Sequence, residues 1–195
     1  MKGIFSATAF VALISALAAA APFKVAERSA TGPLIFSKAA DFIHVTSQAN
    51  PNTDQAAAYG TQTGLIARTN GQGEFASYVS FVIPALSSIS GASTSSTCNF
   101  VIRNPANATG SQMTQLYTLG SLIPDSITFY SHPYHDQYEG VYQAAVGSDS
   151  IAVDVATVPC KFGELMQFVM RPQNDNDYIT WQQDTNVGAF IEIRN

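Results

Sequence analysis

This chain is poor in charge, in cysteine and in long apolar runs. Only 12% of its 195 residues are charged, with 9 basic against 14 acidic. The few lysines and arginines are scattered, which excludes the clustered positive surface that nucleic acid or an anionic membrane needs. Neither is therefore expected as a partner. The chain has no G-x-S-x-G and no H-E-x-x-H, so the common local signatures of a serine hydrolase or a zinc protease are missing. There are two cysteines, Cys98 and Cys160, and no second cysteine or histidine sits at zinc-ligand spacing from either. No internal repeat is evident, and helical patterning is almost absent.

One apolar run exists, and it lies at the N-terminus. Lys2 is followed by FVALISALAAAA, Phe10 to Ala21, closing on small residues with Ala18 and Ala20 in an A-x-A pattern. That is the form of a secretory signal peptide, residues 1–20, cleaved after Ala20. The run is shorter than the ~20 residues of a spanning helix, so no membrane span is expected. Residues 21–32 have little to pack and read as a flexible leader, with Glu27-Arg28 a weak candidate for further processing after Arg28. Loss of the signal removes Lys2 and no acidic residue, leaving six more acidic than basic groups. In a secreted chain an even cysteine count reads as one disulfide, Cys98 to Cys160, with two buried free thiols the plainer alternative.

From Pro33 the pattern is period two. SYVSFVIP sets Tyr78, Ser80 and Val82 against Val79, Phe81 and Ile83; CNFVIR sets Cys98, Phe100 and Ile102 against Asn99, Val101 and Arg103. LIF, DFIHVT, GLIAR, ITFYS, YEGVYQA, SIAVDVAT, LMQFVMR, YITWQQ and GAFIEIR continue it, separated by turn residues such as Asn70-Gly71. Alternation of this kind marks half-buried antiparallel strands. The expected fold is all-β: a two-sheet, jelly-roll-like antiparallel β-sandwich of about ten strands, one domain over 33–195. Only Asn52 to Gly60, capped by Thr53 or Asp54, reads as helix. The serine-rich Ala85 to Thr97 reads as a mobile loop, open to O-linked sugar.

Candidate sites are few. Asn107-Ala108-Thr109 is an N-glycosylation sequon beside the turn signal Asn104-Pro105, so Asn107 is expected to be exposed and glycosylated. PQNDNDY, with Asp175 and Asp177, lacks the glycine and final glutamate of an EF-hand loop and reads as a hairpin turn. FYSHPYHDQYEG holds His132, His135, Asp136 and Glu139. Pro133 breaks regular structure there, so the stretch reads as an exposed loop in which His132, Asp136 and Glu139 keep ordinary acidities, with no metal, no cofactor and no catalytic role. Tyr130, Tyr134, Tyr138 and Tyr142 form either a contact surface for sugars or partners or the filling of a sandwich edge.

TGLIARTNG near Thr63, SFVIP ending at Pro84, CNFVIRNP at Cys98, ITFYS before Pro133, VPCKFGELMQFVMRP around Cys160 and the closing ITWQQDTNVGAFIEI occur in this order from about Gly60 onward. The segment resembles the C-terminal domain family named after But-two, a binding protein of the third ubiquitin-like activating enzyme. The resemblance covers roughly two-thirds of the chain beyond its leader. It implies an all-β domain with one disulfide in a secreted or surface fungal protein, and it carries no catalytic residues. The resulting expectation is a secreted, non-catalytic β-sandwich of the extracellular space or cell wall, partnered by a wall glycan or an extracellular protein. A glycan-binding module or host-directed effector competes with it, as does a hydrolase with a dispersed site.

Overall fold

Alternating apolar residues need two surfaces to close over, and the chain supplies both. The computed structural model of the protein describes residues 32–155 and 157–195. The strands are β1 (Leu34–Ala39), β2 (Phe42–Ser47), β3 (Thr63–Thr69), β4 (Gln72–Val82), β5 (Thr97–Arg103), β6 (Asn107–Gly110), β7 (Met113–Leu119), β8 (His135–Gln143), β9 (Ile151–Ala152), β10 (Leu165–Pro172), β11 (Asn176–Gln182) and β12 (Gly188–Arg194). A small sheet has the order β1-β12-β5. A large sheet runs β6-β11-β3-β4-β10-β7-β8-β9, with β2 also paired to β4. All the pairings are antiparallel. Among the described residues helix amounts to one α-turn, Ala56–Tyr59, where Asp54 accepts from the Ala56 amide at 2.7 Å, and a 3-10 turn at Leu86–Ser88. None of the helices among the described residues is long and apolar enough to cross a membrane.

The core lies between the sheets. Cys98, Phe100 and Ile102 of β5 and Ala189, Ile191 and Ile193 of β12 face Val79 and Phe81 of β4, Met166, Phe168 and Met170 of β10 and Ile179 and Trp181 of β11. Phe100 crosses the interface to sit 6.3 Å from Phe81, 6.1 Å from Phe168 and 5.3 Å from Tyr142. Each such ring contributes about 1.5–3 kcal/mol by leaving water, and each favourable aromatic pair adds about 0.5–1.5 kcal/mol. Trp181 pairs with Gly64 across β11 and β3, and a Cβ at Gly64 would lie 2.0 Å from its ring. Only glycine leaves room for that indole.

Cys98 and Cys160 are bonded, 62 residues apart. The bridge ties β5 of the small sheet to the approach to β10 in the large one, and closing a loop of that length restricts the unfolded chain by about 4 kcal/mol. Asn70 and Gly71, both at positive φ, make the tight β3–β4 hairpin.

Both sheets carry a buried carboxylate between two arginines on their outer faces. Glu74 on β4 receives Arg171 and Arg68. Glu192 on β12 receives Arg103 and Arg194, and the Arg103 guanidinium lies 4.1 Å over the Phe190 ring. Four of the basic residues are thus spent within the fold.

The all-β, two-sheet expectation itself holds, with twelve strands among the described residues. Several finer expectations need correction. ITFYS is not a strand: Ile127 to Ser131 runs through bends, because its apolar residues cover a sheet instead of extending one. SIAVDVAT keeps only Ile151–Ala152 as strand, while β6 and β7 went unpredicted. PQNDNDY is no hairpin. It carries the chain from β10 past the tip of the β3–β4 hairpin to β11, and the buried Asp177 accepts from Ser111, from the Met113 amide and from the Asn174 amide. The expectations for the signal peptide, the cleavage after Ala20, the leader and Arg28 lie outside the described residues.

Candidate functional site

The outer face of the large sheet is where the unusual side chains collect. Register places His44, Tyr78, Val169, Tyr117 and Tyr138 in one row across β2, β4, β10, β7 and β8. Residues 120–134 leave β7 and fold back over this row. Ile127 is fully buried and Ile123 partly so, both packed on Ala76, Tyr78 and Val169. The segment is pinned at its ends and middle: the Gly120 amide donates to the Tyr134 carbonyl at 3.1 Å, the Ile123 amide to the Gln167 side chain at 3.2 Å and the Tyr130 amide to the Pro51 carbonyl at 3.1 Å. Asp54 accepts from Ser126 and from the Ile127 amide, which draws the α-turn onto the same cover.

All three histidines of the chain are engaged by aromatic rings, His44 and His135 from the sheet and His132 from the exposed edge of the cover. His132 lies 5.5 Å from the Tyr78 ring and stacks on His135 at 6.0 Å, and His135 stacks on Tyr117 at 5.1 Å. His44 meets Phe42 edge-on at 4.3 Å, and neither of its ring nitrogens has a hydrogen-bond partner. A cavity of about 30 Å³ opens between Thr46, Glu74, Tyr78, His132, His135 and Arg171. It holds a water-sized guest, not a substrate. Burial would raise the Glu74 carboxyl, but the hydrogen bonds and charges of Arg171 and Arg68 outweigh it and hold the group below its ordinary range. Burial lowers His135, and Arg171 and His132 lower it further against the pull of Glu74. Burial also lowers His44, more than Asp54 and Asp125 raise it.

The histidine stretch therefore differs from its expected form. His135 opens β8, so a rigid strand and not a loop carries His135, Asp136 and Glu139. Asp136 points to solvent, whereas Glu139 is buried, and burial pushes its carboxyl up against the opposing charge of Lys161. The ordinary acidity expected of Glu139 is thus wrong. Asp154 moves the opposite way from Glu139: burial is outweighed by hydrogen bonds from the Tyr138 hydroxyl and from the Val141 and Val155 amides. Carboxyls driven apart in this manner are what an acid–base pair requires. Neither lines any of the surface depressions described.

The tyrosines divide. Tyr142 fills the core, while Tyr130, Tyr134 and Tyr138 are exposed, as is Leu122. Leu122, Tyr130 and Tyr134, with Ser131 and His132, border an open depression of about 430 Å³. Ser121 and Leu122 also border a second one of about 260 Å³, which runs on to Lys161, Leu165 and Gln167. No sequence signal pointed to Leu122, Gln167 or the second depression, because their partners come from β7 and β10. Asn107 is exposed as expected, but at the start of β6 on a sheet edge and not in a turn. A scan against family models finds no match for this chain, and a search of curated proteins finds none either.

Proposed function

We propose that this protein is a secreted, non-catalytic β-sandwich that works by surface recognition in the extracellular space or cell wall. One observation carries the reading. Residues 120–134 cover His135, Glu74 and Arg171, which with the exposed His132 at the rim surround a water-sized cavity. The same residues turn Leu122, Tyr130 and Tyr134 outward around open depressions. His135, Glu74 and Arg171 are covered, while Leu122, Tyr130 and Tyr134, groups suited to contact, are displayed. The secretory-type leader supports an extracellular setting, as does the Cys98–Cys160 bond, which belongs to oxidising compartments. The order of motifs shared with the But-two C-terminal domain family supports the same setting, and we infer membership of that family on those motifs. Glycosylation at the exposed Asn107 belongs to the proposal.

The test has two arms. Antibody detection of the chain in culture medium, wall extract and cell lysate is expected to find it in the first two, shifted in mass by a glycosidase that removes N-linked sugar. Purified protein is expected to turn over none of a panel of glycosides, esters and peptides. Turnover that Glu139→Gln abolishes would overturn the non-catalytic reading in favour of a hydrolase.

A further inference from the structure

The proposal that follows rests on the recognition reading and names its ligand class. We propose that Tyr134 is a stacking platform for one ring of a neutral oligosaccharide, held in a groove that runs from Tyr130 past Leu122 to Gln167.

Tyr134 is 65% exposed, yet a Cβ built at Gly120 would lie 2.0 Å from its ring. Both facts hold only if one side of the ring lies on the Gly120 backbone and the rest is open to water. Glycine at 120 makes that seat possible, and the Gly120–Tyr134 backbone hydrogen bond holds the two strands of chain together beneath it. A ring fixed before binding has little rotamer freedom left to lose, which is what an exposed anchor needs. Tyr130, 73% exposed, stands at one end with its amide bound to Pro51 and its ring against Phe129 at 6.0 Å. Leu122, 70% exposed, lies where the two depressions meet.

The chemistry of the lining selects the ligand. The depressions of about 430 and 260 Å³ share Ser121 and Leu122, so they adjoin at that rim. Each is of the order of a small-ligand site, ~300–1,000 Å³. Apolar contact comes from the Tyr134 ring and Leu122, and hydrogen bonding from Ser121, Ser131, Thr118 and Gln167. Among the described residues no carboxylate lines either depression; Lys161 stands at the far end of one, and the His132 imidazole borders the other. A pyranose chain offers that pairing, with C–H faces for the rings and hydroxyls for the polar rim. A protein partner would need about 800 Å² on each side, and a groove with this rim suits a narrow linear ligand better than a flat face.

Titration calorimetry of the folded, secreted protein with hexasaccharides of β-1,4-glucose, β-1,3-glucose, β-1,4-N-acetylglucosamine and α-mannose tests this. At least one is expected to bind. Tyr134→Ala is expected to weaken that binding by about thirtyfold, the loss typical of a central anchor. Tyr134→Phe keeps the stacking face and is expected to stay near the parent. Gly120→Ala keeps the tyrosine but forces its ring off the seat, and is expected to weaken binding too. Tyr178→Ala, exposed on β11 away from the groove, is expected to change nothing. Binding that survives Tyr134→Ala overturns the proposal, as does failure of every neutral hexasaccharide to bind protein whose unfolding transition is intact. Binding confined to a hexamer of galacturonic acid and lost in Lys161→Ala overturns it as well. If instead an extracellular protein is captured in a Tyr134-dependent way, the glycan falls and the recognition reading stands. Hydrolysis of a hexasaccharide would fell both.

Discussion

Replacing Glu74 by alanine should leave two guanidinium groups facing each other without their anion. The Glu74 side chain is 6% exposed, Arg68 22% and Arg171 32%. Breaking a fully buried pair from one side costs about 3–5 kcal/mol, while a solvated surface pair is worth about 0–1 kcal/mol. The carboxylate belongs to the buried class and its partners to neither, so a loss of about 2–3 kcal/mol is expected, after discounting for screening at the arginines. In a domain of this size that lowers Tm by about 4–12 °C. Arg68→Ala is expected to cost about 1 kcal/mol or less, because Arg171 still pairs with Glu74. The pH dependence separates charge from volume. The folded carboxyl sits below its ordinary value of 4.5, so its stabilisation is complete above that pH and fades as pH falls through the folded value. Thermal unfolding of parent and Glu74→Ala should therefore differ fully at pH 7 and converge in acid. A Tm gap that is absent at pH 7, or that is as wide at pH 3 as at pH 7, would refute the electrostatic account.

Two further outcomes follow from the packing. His44 and His135 are both held below their ordinary value of 6.5. The unfolded chain takes up protons there that the folded chain resists, so urea stability should decline as pH drops below about 6.5. Asp54 and Asp125 face His44, and Arg171, His132 and Glu74 face His135; a His44→Leu, His135→Gln variant that declines as steeply as the parent between pH 7 and pH 5 would sink this. Gly64→Ala forces a Cβ to 2.0 Å from the Trp181 ring, at or beyond the upper end of the ~1–3 kcal/mol that overpacking costs. Its tryptophan emission should shift red and its Tm fall, and an unchanged Tm would contradict the close approach.

What could be read from the sequence is what repeats along it. LMQFVMR, YITWQQ and GAFIEIR became β10, β11 and β12 because alternation and β-forming residues agreed there, and Asn70-Gly71 named its hairpin. MTQLYTL was missed because Thr114, buried at no exposure, breaks the visible alternation. ITFYS was misread because the same apolar residues that make a strand also make a lid, and only the sheet beneath it decides which. The two Arg–Glu–Arg clusters were invisible because Glu74 meets Arg171 across 97 residues and Glu192 meets Arg103 across 89. For the same reason the exposed tyrosines could be suspected but not sorted: Tyr142 and Tyr138 are four apart, with the Gly140 irregularity of β8 between them. The groove, formed by β7, β10 and the cover, had no local signature at all.

The large sheet ends in short strands on both sides, the four residues of β6 and the two of β9. A sheet this broad would otherwise be a template on which further chains dock. A newcomer at β6 finds few open amides, and the exposed Asn107 stands at its first position. Sugar attached there would stand in the way of lateral growth. Short terminal strands of this kind leave little backbone at those two edges for another chain to pair with.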